Sequence, residues 1–267
     1  MGFYTDRFCR VGGFIWIGIN TVGWERRWSD VRLTEGSARS TGTAALYRVG
    51  AAAAATAVAT TLVQVVAFVL WPPPSFAPTS EATARIFADA RLNPALTFVP
   101  LDGLMLIDYV ALILVFVALF FALRSESPSL AVVGTVLGLV AATLYFTANP
   151  APALMILARE CTLANTDAAR SSILSAGVGV LANFQGAGFL VHYVMMGVAG
   201  IVISAAMLRS TVFSRATGIF GVLQGAMMLV PSNFGTLGLV LALGSLVPFV
   251  LWFSLVAARL MKLARDG

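Results

Sequence analysis

The chain has 267 residues, 59% of them hydrophobic and 11% charged, with a formal net charge of +5. A soluble domain carries roughly 25% charged residues, and several apolar runs here reach the roughly 20 residues that cross a hydrocarbon core of about 30 Å. Composition therefore excludes a soluble domain and points to an all-α integral membrane protein in contact with a lipid bilayer. The positive charge reads as topology and not as a nucleic-acid surface, because no basic cluster is interleaved with aromatic residues.

Residues 1–45 differ from the rest. Arg7, Arg10, Arg26, Arg27, Arg32 and Arg39 cluster there with Trp16, Trp24 and Trp28. The apolar part, VGGFIWIGINTVGW (11–24), is too short to span, and the bulky residues around Trp24 leave no small-residue cleavage site. The expectation is a cytoplasmic or interfacial leader with Trp and Arg at headgroup level, the alternative being a disordered one. A transmembrane domain over 46–267 follows it. Cys9 and Cys161 are expected on opposite sides of the membrane, which excludes a disulfide between them.

Six spanning segments are expected near 47–71, 95–123, 129–148, 184–208, 213–231 and 235–260. Pro72, Pro73 and Pro74 stop the first, and a short polar helix over 79–91 precedes the second. Arg124 to Pro128 makes a tight turn, and Asn149, Pro150 and Pro152 end the third segment. The stretch 151–183 contains RECTLANTDAAR, too polar to span, and reads as one or two short helices over the membrane with Asn165 or Thr166 as an N-cap.

Basic residues set the orientation. With the N-terminus inside, inner segments hold 13 of the 17 Lys and Arg residues and outer loops hold Arg85, Arg91, Arg159 and Arg170. The positive-inside rule then puts both termini in the cytoplasm. A faint repeat accompanies this layout. LRSESPS (123–129) resembles LRSTVFS (208–214), and each leads into a helix with glycines four apart, Gly134–Gly138 and Gly221–Gly225. Such pairs let helix backbones approach closely in lipid. They make the hairpins 95–148 and 184–231 candidate structural equivalents, and they offer faces for a homodimer or a partner membrane protein.

Depth along each helix singles out a polar layer. Asp108 lies sixteen residues before Arg124, His192 seventeen before Arg209, Gln64 sixteen after Arg48 and Tyr145 sixteen after Ser129. At about 1.5 Å per residue, all four fall about 24 to 26 Å from the inner face. An intramembrane carboxylate is costly and needs a partner, so Asp108 is the first candidate for binding a ligand or a proton, with His192 as its proposed partner. Gln64 and Tyr145 complete the layer, and Asp102, nearer the interface, is a further candidate. For each, the competing reading is a polar group that only fixes packing.

Other chemistry is excluded by what the sequence lacks. There is no HExxH, no Walker-type loop and no GxSxG. One histidine cannot supply two ligands to a haem or metal, and Asp102 and Asp108 stand about 9 Å apart along one helix, too far for an aspartyl pair. Methionines such as Met195 and Met196 are ordinary core filler. No catalytic residue, cofactor or metal site is assigned.

The run LDGLMLIDYVALILVFVALFFALR with its short turn, the LRSTVFSRATGIFGVLQGAMMLVP hairpin and the ending LVPFVLWFSLVAARLMKL resemble a family of small multi-pass bacterial membrane proteins, domain of unknown function 4386, over about residues 45–263. The resemblance implies a six-helix bundle in a bacterial plasma membrane and no established activity. Asp108 stands where that family often shows an aspartate in its second helix. His192 has no assigned counterpart, and the leader lies outside the pattern, as a start codon assigned too early would also produce. Three functions are weighed: a non-enzymatic accessory or regulatory membrane subunit first, a small-molecule binding or transport protein second, and an enzyme acting on lipid or quinone third.

Overall fold

The computed structural model describes residues 21–72 and 74–266, with side chains from Gly42 onward. Most of the expected leader, including Cys9 and the leader's arginines and tryptophans, lies outside the residues or side chains so described. All regular secondary structure among the described residues is α-helical, with no strand.

Helix α1 (Thr21–Leu70) ends just before the run of prolines, which cannot continue the ladder. Helix α2 (Ser80–Leu92) starts at Thr79, whose side chain accepts from the Ala82 N–H. Asn93 closes α2 and caps the five-residue α3 (Pro94–Phe98). Helix α4 (Met105–Leu123) is followed by α5 (Pro128–Ala148), and only Asn149 and Pro150 separate α5 from α6 (Ala151–Leu163). Thr166 is the N-cap of α7 (Asp167–Gln185), and Gly186 separates α7 from α8 (Ala187–Leu208). Helix α9 (Arg215–Met227) is capped by Ser214, and α10 (Gly235–Asp266) carries Pro248 in its interior.

Among the described residues, five stretches are long and apolar enough to cross a membrane: 42–70, 105–123, 128–163, 167–208 and 235–266. Their outward side chains, such as Val63 and Val66 on α1, Val136 and Val140 on α5, and Val240 and Leu243 on α10, are apolar and exposed. That pattern suits lipid and not water. The chain is thus built as an α-helical membrane protein.

Two of the observed helices differ in extent from the segments expected. The segment near 213–231 contains a helix of only 13 residues, roughly 20 Å long and short of a full span. The segment expected from residue 95 begins instead at Met105, because Pro94, Pro100 and the left-handed backbone of Asp102 (φ 66°) break the chain into α3 and a turn.

Two cores result. The larger joins α1, α4, α5, α8 and α10 through small and aromatic residues such as Ala54, Ala118, Ala141, Phe116 and Trp252. The smaller joins α2, α6 and α7 through Ile86, Phe87, Leu154 and Leu181, forming a helical cap. The most extensive helix pairing is α5 on α8, followed by α8 on α9.

The four glycines singled out in the sequence all face the bundle interior. A Cβ on Gly134 would stand 3.0 Å from the Ile203 backbone nitrogen, and one on Gly138 would meet the Phe116 ring at 2.6 Å. Gly221 sits against Ser204 and Trp252, and a Cβ on Gly225 would come within 2.5 Å of the Gly197 carbonyl oxygen. These faces are spent inside the chain, so they do not offer the surface for a second copy that the sequence suggested. The two similar turns touch each other: the Glu126 carboxylate accepts from the backbone N–H of Thr211 at 2.6 Å and from its hydroxyl at 2.8 Å. Their hairpins are unequal, since α9 is shorter than α5 by eight residues (21 against 13).

Candidate binding cavity

The polar layer resolves into two hydrogen-bonded groups. In the first, α4 meets α1. Asp108 is 3% exposed, and its Oδ1 accepts from the hydroxyls of Thr60 at 3.0 Å and Thr61 at 3.5 Å. Asp108 and these threonines meet because Asp108 lies in the first turn of α4 while Thr60 and Thr61 lie in the second half of α1, which runs antiparallel to α4. No described residue makes a hydrogen bond to Oδ2 or an ion pair with Asp108. Gln64, one turn further along α1, does not reach Asp108. Its amide donates to the Val99 carbonyl at 3.0 Å, and its Oε1 is buried without a partner.

The second group centres on His192. Its Nδ1 faces the Ala141 carbonyl at 3.2 Å, and its Nε2 faces the Tyr109 hydroxyl at 3.0 Å. A carbonyl only accepts, so Nδ1 carries the hydrogen and Nε2 of the neutral ring accepts from Tyr109. Tyr109 stacks on Tyr145 with centroids 3.8 Å apart. Tyr145 in turn accepts from Asn149 at 2.9 Å, and the same amide donates to the Asp102 carbonyl at 3.0 Å. Asp102 thus enters through its backbone, closing the turn before α4.

The structure therefore brings Tyr145 and His192 together around Tyr109 and leaves Asp108 with the threonines. Asp108 and His192 share no hydrogen bond or ion pair, in contrast to the Asp–His pair expected from depth. Equal depth does not make neighbours, because each side chain also has a direction around its helix axis.

Beside Asp108 lies a cavity of about 220 Å³ between α4, α8, α9 and α10, with Thr61 of α1 at its edge. Of the five candidate residues only Asp108 lines it. Its wall includes Tyr109 and Phe116 from α4, Tyr193 and Met196 from α8, and Phe249 and Trp252 from α10. Gln224, Ser232 and Ser245 add polar atoms, although the Gln224 amide is used by Met228 and the Ser245 hydroxyl by the Ala242 carbonyl. Among the described residues no Lys, Arg or His lines the cavity. The contribution of α10 was not read from the sequence; the interruption of its apolar run by Ser245 and Pro248 was the available signal. Among the described residues no group of three or more His, Cys, Asp or Glu is placed to hold a metal ion.

A family model described as Domain of unknown function (DUF4386) matches residues 103–261, which include α4 to α9 and most of α10, and hence nearly the whole cavity wall. No curated protein and no solved structure matches the chain.

Proposed function

We propose that this chain, which belongs to the family described as Domain of unknown function (DUF4386), is a non-enzymatic membrane protein that binds a small molecule in the cavity beside Asp108. The observation that carries the reading is a buried carboxylate with one oxygen that no described residue hydrogen-bonds, at the wall of a largely apolar cavity. Ligand sites are commonly apolar hollows between helices with a few placed polar groups, and an ionisable residue inside a membrane bundle most often marks such a site. An accessory or regulatory subunit, the role first suggested by the lack of catalytic motifs, is compatible with this: the ligand would then be what the subunit senses.

The enzyme reading has less support. Acid–base work by Asp108 and His192 requires both near one reacting group. His192 is fully buried, lies outside the cavity wall and has both ring nitrogens engaged.

For topology we propose six antiparallel segments with both termini in the cytoplasm of a bacterial cell, crossing its plasma membrane. The short α9 is completed by the chain that follows it. Its start lies by Val212, whose carbonyl accepts from Arg259, and Asn233 beyond its end donates to the Gln185 carbonyl at 2.8 Å. Val212 follows the end of α8 and Gln185 precedes its start, so residues 212–233 run the height of α8. Arg124, Arg209, Arg215, Arg259, Lys262 and Arg265 share the end that the positive-inside rule makes cytoplasmic.

Native mass spectra of the protein in lipid nanodiscs, compared with Asp108→Asn, test the binding reading. A small molecule retained by the wild type and lost from the folded variant is the expected result. Equal retention by both, or no retained molecule in either, would overturn it.

A further inference from the structure

The chemistry of the cavity wall goes one step beyond binding as such, and it rests on the binding reading above. Among the described residues of the wall, Asp108 supplies the one formal charge, with no cationic side chain beside it. A carboxylate held within a membrane bundle requires a counter-charge or donors. Two hydroxyls serve Oδ1, and no described residue donates to Oδ2.

The rest of the wall is rich in aromatic side chains. Tyr109 and Phe116 flank Asp108 on α4, Tyr193 faces from α8, and Phe249, Trp252 and Phe253 form an aromatic wall on α10. Phe249 and Phe253 lie 4.5 Å apart between ring centroids, and Trp252 and Phe253 4.7 Å apart. Aromatic faces carry partial negative charge and attract a desolvated cation, and alkylated ammonium groups, which lose little hydration on entering, are a recurrent ligand of such sites. A wall of aromatics with a single carboxylate therefore favours positive charge and disfavours anions, which would meet Asp108 with no cation to offset it. Volume limits the remainder. A cavity of about 150 Å³ takes benzene, so about 220 Å³ accommodates one ring with a small ammonium group.

We infer that the cavity takes a lipophilic organic monocation, an amine or quaternary ammonium carrying an apolar group of about one ring, with its charge set between Asp108 and the aromatic wall of α10.

The test compares benzyltrimethylammonium with its carbon isostere neopentylbenzene, which has the same shape and no charge. Equilibrium dialysis uses the full chain in lipid nanodiscs, with empty nanodiscs correcting for partition into lipid. Saturable binding of the cation, at least tenfold tighter than of the isostere, is expected in the unaltered protein. Asp108→Asn should weaken the cation at least tenfold. Phe249→Leu keeps the apolar surface and removes one π-face; it should weaken the cation about threefold while leaving the isostere unchanged.

Equal binding of the two probes, or an unchanged cation affinity in folded Asp108→Asn, would overturn the charge assignment while leaving a binding cavity. Saturable binding of neither probe would also overturn it, and the retained-ligand spectra then decide separately whether the cavity binds anything.

Discussion

The Tyr109 hydroxyl donates to Nε2 of His192 across 3.0 Å, joining α4 to α8 inside the bundle. The bond orients a histidine whose other nitrogen is held by the Ala141 carbonyl of α5, so one imidazole ties three helices together. Tyr109→Phe should leave a buried acceptor unsatisfied at a cost of about 1–3 kcal/mol. A double-mutant cycle with His192→Leu, followed by thermal or denaturant unfolding, should show a coupling of about 1 kcal/mol. Additive losses would mean that the two groups do not stabilise each other.

Packing of α8 on α9 depends on backbone proximity at Gly225. Its missing side chain leaves room for the Gly197 carbonyl and the Ile201 backbone nitrogen, neither of which can rotate away. Gly225→Ala is expected to force the helices apart and cost about 1–3 kcal/mol, as overpacking generally does. Gly179→Ala on α7 is the control, since nothing lies within 4 Å of the added methyl group. It should be neutral or slightly stabilising through helix propensity. Equal thermal midpoints for the two variants would refute the close approach.

Asp102 has φ 66°, a left-handed conformation that Asp, Asn and Gly adopt far more readily than branched residues. Its carbonyl accepts from Asn149 while its side chain makes no hydrogen bond to any described residue. The backbone conformation is thus the requirement there. Asp102→Asn should leave the thermal midpoint unchanged, and Asp102→Val should destabilise by about 1–2 kcal/mol. A loss from Asn as large as from Val would give the carboxylate itself a structural role.

The proposed orientation is open to thiol labelling. Cys161 is free and partly exposed on the cap, whereas Ser125 is exposed in the turn between α4 and α5 at the opposite end. In a Cys9→Ser background, an impermeant maleimide should label Cys161 in spheroplasts from intact cells. A Cys161→Ser, Ser125→Cys variant should react only after permeabilisation. The reverse pattern would invert the topology.

Much of the candidate site was hidden by a single missing quantity, the rotation of each helix about its axis. The shared depth of Asp108, His192, Gln64 and Tyr145 follows from counting residues, and Tyr145 and His192 do meet, through Tyr109. Asp108 instead turns to Thr60 and Thr61, and Gln64 to a backbone carbonyl before α4. The wall from α10 went unread because Phe249, Trp252 and Phe253 look in sequence like any apolar membrane segment.

The sequence by itself determined the membrane class, the helical architecture, a short helix near 79–91, an N-cap at Asn165 or Thr166 that the structure places at Thr166, and the family resemblance that the match over 103–261 established. These rest on local, additive properties: hydropathy summed over a window, and a side chain that reaches its own helix end. Tertiary structure alone decided that α9 stops at 13 residues, that the glycine pairs serve internal packing, and that Asp108 borders an aromatic cavity while His192 does not. Each depends on which helices are neighbours and which way they turn, and in lipid those choices come from close packing between segments that are individually stable.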